Sequence, residues 1–198
     1  SPDGGEAFVP LVESSLGAPN AEPYIGPLIV SEIQALPDTS EGPGLSAKAL
    51  EYIELYNSSA WPIALGGASL DGGIEWAFPE GLVLPAQATL LILSWDPTDP
   101  ANTEDLETFR SHYDLDDSLQ LVGGFSGSLS DTGEVVDLWR AEEEAPRLED
   151  RAAYGLALLP AQSAPLPGSA WHRNAPPGLG LHATSWATGA PSPGVAFE

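Results

Sequence analysis

Short runs of β-forming residues recur along this chain, and turn-forming residues end each run. The clearest run is EYIELYN, residues 51–57. Its alternation places Ile53 and Leu55 on one face of a strand, while Tyr52 and Glu54 occupy the other face. A chain built from such runs must bury one face of each strand, so this pattern limits the possible folds more than any other feature does.

The rest of the chain repeats this organisation. Residues 89–94 form a continuous apolar run that predicts a strand buried on both faces. A tight turn at residues 131–133 leads into another run at 135–139. One helix is predicted at residues 103–112, because acidic residues follow a candidate cap, Asn102 or Thr103.

In total, about eight or nine short strands are predicted, without the strand–helix alternation of a parallel sheet. The 21 glycines and 20 prolines agree with many turns and little helix. The fold class is therefore an all-β sandwich or barrel.

Two regions differ in composition. Residues 1–27 are rich in proline and glycine and read as an N-terminal extension or linker. The extension contains one apolar patch, in which Pro10 favours an edge strand over a helix: Phe8, Val9, Leu11 and Val12. Residues 28–198 form the predicted sandwich, which is loop-rich from residue 160 onwards, with Trp171 and Trp186 as anchors.

Several ordered motifs carry a family resemblance. They are LIVSEIQA, EYIELYNSSAWPIALGGASL, WAFPEGLVLPAQATLLILSW and SGSLSDTGEVVDLWR. Together they resemble the lamin tail domain, with Ser31, Glu32 and Ile33 at the end of the first strand. Ala86 stands where glycine is common in that family's hairpin, and residues 192–194, Ser-Pro-Gly, match the tail of bacterial members.

The resemblance implies an immunoglobulin-like β-sandwich with an extended N-terminal segment and at most one short helix. It implies an interaction module that is not an enzyme, and a secreted or cell-surface location. It also implies that Ile53 and Leu55 face the core between the sheets and that Asn57 begins a turn by bonding its own backbone.

Charge limits the possible partners. The chain has 29 acidic residues, six basic residues and a net charge of −23, so we expect it to repel nucleic acid and anionic membranes. Its apolar runs are too short to span a bilayer.

Without cysteine there is no disulfide, thiolate nucleophile or zinc–thiolate site. Ser1 fits either a processed N-terminus or a boundary chosen for expression.

The acidic loops suggest one possible cofactor, calcium, because carboxylates are its preferred ligands. The candidates lie in two loops: Asp96, Asp99, Asp114, Asp116 and Asp117. Their order lacks the pattern of an EF-hand, and a solvated acidic loop is the alternative interpretation. No other cofactor is predicted.

The tryptophans divide into two groups. Trp61, Trp76 and Trp139 fall in strand patterns and are expected in the core. The others lie in or beside loops and could stack on sugar rings: Trp95, Trp171 and Trp186.

The sequence offers little for catalysis. GFSGS only approaches a nucleophile elbow, and His172 and His182 lack the spacing of a helical zinc site. Carboxylates are abundant and therefore unspecific. Glu32, Glu51 and Glu54 are interpreted as a solvated face or as acceptors for backbone donors, and a metal- or ligand-binding role is the alternative.

Two hypotheses follow. In the first, the N-terminal patch adds as a strand to a sheet edge of another copy or of a neighbouring surface protein, and head-to-tail repetition gives a filament. The extension could instead fold back on its own domain. In the second, the protein is a calcium- or carbohydrate-binding accessory module of a secreted or cell-surface protein.

Overall fold

A computed structural model describes Leu11, Ser14 and residues 24–40, 46–143, 145–164, 166–175 and 177–195. Of the predicted donor patch, only Leu11 lies within the described residues; it is half-buried in an isolated β-bridge. The elements in chain order are β1 Leu28–Gln34, α1 Ala47–Leu50, β2 Tyr52–Asn57, β3 Ile63–Ala64, β4 Ser69–Gly72, β5 Ile74–Ala77, β6 Val83–Leu84, β7 Thr89–Leu93, α2 Thr103–His112, β8 Gln120–Gly123, β9 Ser126–Gly127, β10 Val135–Arg140, β11 Arg147–Ala153, β12 Ala170–Arg173 and β13 Trp186–Gly189.

The strands form two main sheets. The first has six strands in the order β13-β12-β1-β2-β7-β8, and the second has five in the order β11-β10-β4-β5-β9. Strands β3 and β6 form a small separate hairpin. The pairings are antiparallel except for β7 with β8.

One core lies between the two sheets. Ile53 and Leu55 of the first sheet share it with Leu70, Val136 and Leu138 of the second. A smaller cluster on the outer face of the first sheet packs α2 through Phe109 against Tyr52. Each fully buried aliphatic side chain stabilises the fold by about 1.5–3 kcal/mol. The predicted sandwich and the two faces of β2 are therefore confirmed.

The strand and the helix that the sequence predicted most clearly are present in the structure. All five residues of β7 are buried, as its unbroken apolar run predicted. The predicted helix occupies Thr103–His112, with Asn102 at its N-cap position, although the Asn102 side chain donates to the Asp96 carbonyl instead. The short helix α1, one turn long, is capped by Ser46, whose hydroxyl accepts from the Ala49 amide at 3.2 Å.

The loop-rich reading of the C-terminal part missed two strands. Residues 170–173 and 186–189 form β12 and β13, and both continue the first sheet beyond β1. Each strand is only four residues long, which is too short to show a clear alternation of apolar and polar side chains. Trp171 and Trp186 do anchor this region, since both belong to the main core.

The core assignment of Trp61 was wrong. Its side chain is 77% exposed. The turn after β2 is held by polar bonds instead: Asn57 Nδ2 and Ser59 Oγ both donate to the Trp61 carbonyl, at 2.8 and 2.7 Å. The backbone of this turn is fixed without burying the indole.

A buried ion pair joins the two sheets. Arg173 of β12 donates two hydrogen bonds to Asp150 of β11, at 3.2 and 3.1 Å, and its side chain is fully buried. Asp150 also accepts the amide of Val30 at 2.9 Å, next to an irregularity in the pairing of β1 with β2. The Arg173 guanidinium donates further to the Gly178 carbonyl and lies 5.1 Å from the centre of the Trp186 ring.

We expect Arg173→Met to destabilise the protein by about 3–5 kcal/mol, because the substitution leaves Asp150 buried without its cation. Urea unfolding followed by tryptophan fluorescence measures this loss. The matched control is Arg151→Met, which removes a two-bond pair with Asp137 whose side chains are 30% and 15% exposed. The control loss should be near 1 kcal/mol or less. Equal losses in the two variants would contradict a special role for the buried pair.

Candidate functional site

Two carboxyl groups lie side by side, buried on the outer face of the first sheet. Glu32 of β1 is opposite Glu54 of β2 in the strand register, and the two residues are 1% and 0% exposed. Polar side chains here need partners, because burial of an unpaired carboxylate is costly. The hydroxyl of Tyr52 donates to Glu32, and Ser31 Oγ donates to Glu54 at 2.6 Å.

The C-terminal tail supplies the remaining donors. The Ser192 amide donates to Glu32 Oε1 at 3.0 Å, and the Gly194 amide donates to Glu54 Oε2 at 2.6 Å. The Ser-Pro-Gly tail therefore crosses the outer face of the sheet and is held by two buried side chains. Glu32 and Glu54 are thus buried acceptors of backbone amides, and of side-chain hydroxyls as well, and they do not form a solvated face.

Two other polar residues in the segment 51–57 also bond to backbone groups of distant loops. Glu51 Oε2 accepts the amide of Leu129, at 3.4 Å, in the loop before the Asp131–Gly133 turn. Asn57 Nδ2 donates to the carbonyls of Leu84 and Pro85 at 3.1 and 2.9 Å. Asn57 Oδ1 accepts the Ser59 amide at 3.0 Å, which confirms the predicted turn. One strand thus fixes three remote loops through side-chain to backbone bonds.

Burial raises the pKa of several side chains in residues 51–57. Burial raises the pKa of Glu54 to about 7, although the bonds from Ser31 and Gly194 oppose the rise. Burial also raises the pKa of Glu51 to about 7, against the bond from Leu129. Burial raises the pKa of Tyr52 as well, and the nearby Glu32 adds to that rise.

The cluster with the closest likeness to a hydrolase triad is not arranged as one. Ser192 Oγ lies 3.4 Å from His172 Nδ1, and Glu32 Oε2 lies 3.5 Å from the same nitrogen. In a catalytic triad the serine and the carboxylate contact opposite nitrogens of the imidazole, so that one nitrogen takes the serine proton while the carboxylate orients the ring through the other. Here both compete for one nitrogen, and the arrangement holds the tail.

The predicted calcium ligands lie in two separate turns. Asp96 Oδ1 accepts the amide and hydroxyl of Thr98, and Asp99 caps the Pro100–Asn102 turn. Asp116 accepts the Ser118 amide at 2.7 Å, and Asp117 is fully exposed, 3.9 Å from Arg110. Asp114 and Asp116 both line a groove of about 630 Å³ beside β8.

Within the described ranges, no three acidic or histidine side chains converge to hold a metal ion. Calcium binding stays a prediction that rests on the acidic loops of the sequence.

The three candidate sugar-stacking tryptophans are largely buried. Trp95 is half-buried against α2 and donates to the Ala49 carbonyl at 3.0 Å. Trp171 and Trp186 are each 6% exposed and line one wall of a depression of about 370 Å³ beside β13. With so little of either ring exposed, these two side chains do not present an open face on which a sugar could stack.

The basic side chains are used in internal contacts. Lys48 donates to the Gly127 carbonyl at 3.0 Å, and Arg110 donates to the carbonyls of Asp116 and Leu119. The other four arginines pair with carboxylates: Arg140, Arg147, Arg151 and Arg173. No helix in the described part of the chain is long and apolar enough to cross a membrane.

We expect the protein to become more stable as the pH falls from 8 towards 5, because folding raises the pKa of Glu54 from 4.5 to about 7. Between these two values the folded state holds a proton that the unfolded state has released. The contribution is therefore present below pH 4.5 and is lost as the pH rises through 7.

The variant Glu54→Gln should reduce the slope of unfolding free energy against pH by up to about 1.4 kcal/mol per pH unit, the value for one proton. Urea unfolding at several pH values measures the slope. Glu75→Gln removes the same charge from an exposed position of β5 and should leave the slope unchanged. Identical slopes for wild type and Glu54→Gln would show that Glu54 titrates normally.

The comparisons with known proteins agree with this geometry. Residues 22–143 match the family model of the Lamin Tail Domain, which covers more than half of the chain. No curated protein and no solved structure matches the chain. The matched residues include Glu51 and the strand β2 that bears Glu54 and Asn57, whereas β11, β12 and β13 lie beyond them. The chain belongs to the lamin tail domain family, whose members are non-enzymatic, immunoglobulin-like structural domains.

Proposed function

We propose that this protein is an extracellular interaction module whose copies associate head to tail. The N-terminal extension of one copy adds as a strand to a sheet edge of the next, and repetition gives a filament. The contact is heterologous, because the donor segment and the acceptor edge are different parts of the chain. For the secreted or cell-surface location, the support is the resemblance to bacterial members of the family.

The observation that carries the proposal is the combination of an open sandwich with an apolar extension. The first sheet ends in the edge strands β13 and β8, and an edge strand presents backbone groups that another strand can pair with. The extension carries an apolar patch from Phe8 to Val12 in an otherwise polar, acidic surrounding. A neighbouring surface protein with such an edge is the alternative partner.

The structure defines where a test truncation must end. The Tyr24 ring lies 4.6 Å from the Arg147 guanidinium, and the Pro27 carbonyl accepts the Ser58 amide at 2.7 Å. The family match begins at residue 22. Removal of residues 1–21 therefore deletes the apolar patch and keeps the contacts that residues 24–27 make with the sandwich.

We expect the full chain to form oligomers or fibres in light scattering and negative-stain electron microscopy, and the chain lacking residues 1–21 to remain monomeric. Association should strengthen between about 0.01 and 0.15 M salt, because screening weakens the repulsion between highly acidic copies. A matched control keeps the extension and replaces Leu16, outside the patch, by Glu.

Monomers from both chains would contradict the proposal, and so would equal association of both chains. If both chains are monomeric and the truncation lowers the melting temperature, the extension folds onto its own domain. A calcium-dependent rise in melting temperature would instead favour the accessory-module alternative.

A further inference from the structure

Four strands end the two main sheets in the described structure, and they differ as acceptors for an added strand. These are β13 and β8 of the first sheet and β11 and β9 of the second. The edge of β11 is already covered in part, because the Ala153 amide donates to the Gly180 carbonyl at 2.9 Å. Strand β9 has only two residues. The choice therefore lies between β8 and β13.

The two edges differ in the charge of the residues beside them. The groove beside β8 contains Asp114 and Asp116, which are both exposed. The apolar patch of the extension is flanked by Glu6 and Glu13. A donor strand placed along β8 would bring these carboxylates towards those of the groove, and like charges at short range are unfavourable.

Two depressions adjoin β13. One contains Glu32 beside His172 and Arg173. The described residues that line the other, of about 370 Å³, are all uncharged, in a protein whose net charge is −23. Trp171 and Trp186 form its buried wall, and Leu166, 68% exposed, lies at its rim. Ala187 and Thr188 of β13 are exposed and line it as well. Among the described strands, β13 pairs with β12 alone.

We propose that β13 and the uncharged depression beside it accept the Phe8–Val12 patch of a second copy as an added strand. This inference rests on the proposed function and names its acceptor. The depression receives apolar side chains from one face of the added strand, and β13 supplies the backbone partners.

Pro10 determines which side of the added strand can form hydrogen bonds with β13. Backbone groups of alternate residues in a strand point to opposite sides, and proline has no amide hydrogen to donate. The side of the added strand that carries Val9 and Leu11 therefore faces β13, and Pro10 faces away. Leu11 takes part in a β-bridge within its own chain in the described structure, so its backbone can pair in β fashion, and addition to a second copy must replace that bridge. Because Pro10 lies on the free side, a further strand cannot pair fully there, and growth is restricted to the head-to-tail direction.

The test uses the full chain and a fluorescein-labelled peptide with the sequence of residues 5–14. Two variants place a carboxylate at the proposed acceptor, Leu166→Glu at the rim and Thr188→Glu on the edge strand. Val83→Glu is the matched control: Val83 is an exposed aliphatic, 43% exposed, and its carbonyl lies 3.5 Å from the side-chain amide of Gln120 on β8. Thermal unfolding checks that all three variants remain folded.

Fluorescence anisotropy should show that wild type and Val83→Glu bind the peptide equally, and that Thr188→Glu and Leu166→Glu bind it at least tenfold more weakly. Light scattering should show the same order for self-association of the full chain. Loss of binding in Val83→Glu with normal binding in Thr188→Glu would overturn the assignment and favour β8.

The outcomes separate the two proposals. Self-association that depends on residues 1–21 but not on Thr188 or Leu166 overturns the acceptor and leaves the proposed function in place. Peptide binding at β13 without self-association overturns filament formation and leaves the acceptor. Absence of peptide binding to the wild type overturns the acceptor directly.

Discussion

The ion pair of Asp150 and Arg173 is the contact on which the arrangement of the C-terminal part depends. It joins β11 of one sheet to β12 of the other, and it also binds the backbone of Val30 on β1. Burial of two charges is unfavourable unless the remaining donors and acceptors are satisfied. Here the Gly178 carbonyl takes further guanidinium hydrogens, so that the arginine is both paired and hydrogen-bonded. The strand β12 is thereby held beside β1, and β13 becomes the edge of the sheet.

The position of β12 also determines the surroundings of the buried glutamates. His172 pairs with Glu32 across β12 and β1, and the tail that follows β13 returns over Glu32 and Glu54. The motif residues of the family thus have a common physical role. Glu54 and Asn57 of β2, and Glu51 just before it, extend to the backbone of three different segments. Because each bond is made between groups far apart in sequence, residues 51–57 link the loop at Leu129, the tail at Gly194 and the end of β6 to one another.

Sequence patterns predicted the parts of the fold that local chemistry determines. The alternation of residues 51–57, the apolar run of β7 and the acidic start of α2 each define an element without reference to the rest of the chain. Other features depend on partners that are distant in sequence. Strands β12 and β13 are too short to carry a pattern, and their place in the sheet depends on the partner of Arg173. Trp61 follows a strand-like pattern, yet Asn57 and Ser59 hold its backbone and leave the ring in solvent.

The same limit applies to the candidate sites. The sequence left bonding to backbone donors as one of several interpretations of the three glutamates, and it could not name Ser192, Gly194 and Leu129 as the donors. It grouped the loop aspartates as possible calcium ligands, because composition does not show that Asp96 and Asp116 bond to their own turns. It suggested a donor strand from the Phe8–Val12 patch, whereas a choice of acceptor needed the sheet order and the charges beside each edge.

Strands β12 and β13 lie beyond residue 143, yet they belong to the same folded unit as the matched family segment. Hydrogen exchange of the full chain, followed by mass spectrometry, measures whether they share its protection. Residues 170–173, in the interior of the six-stranded sheet, should exchange about as slowly as residues 52–57. Fast exchange of residues 170–173, with residues 52–57 still protected, would show that the C-terminal part is not integral to the sandwich.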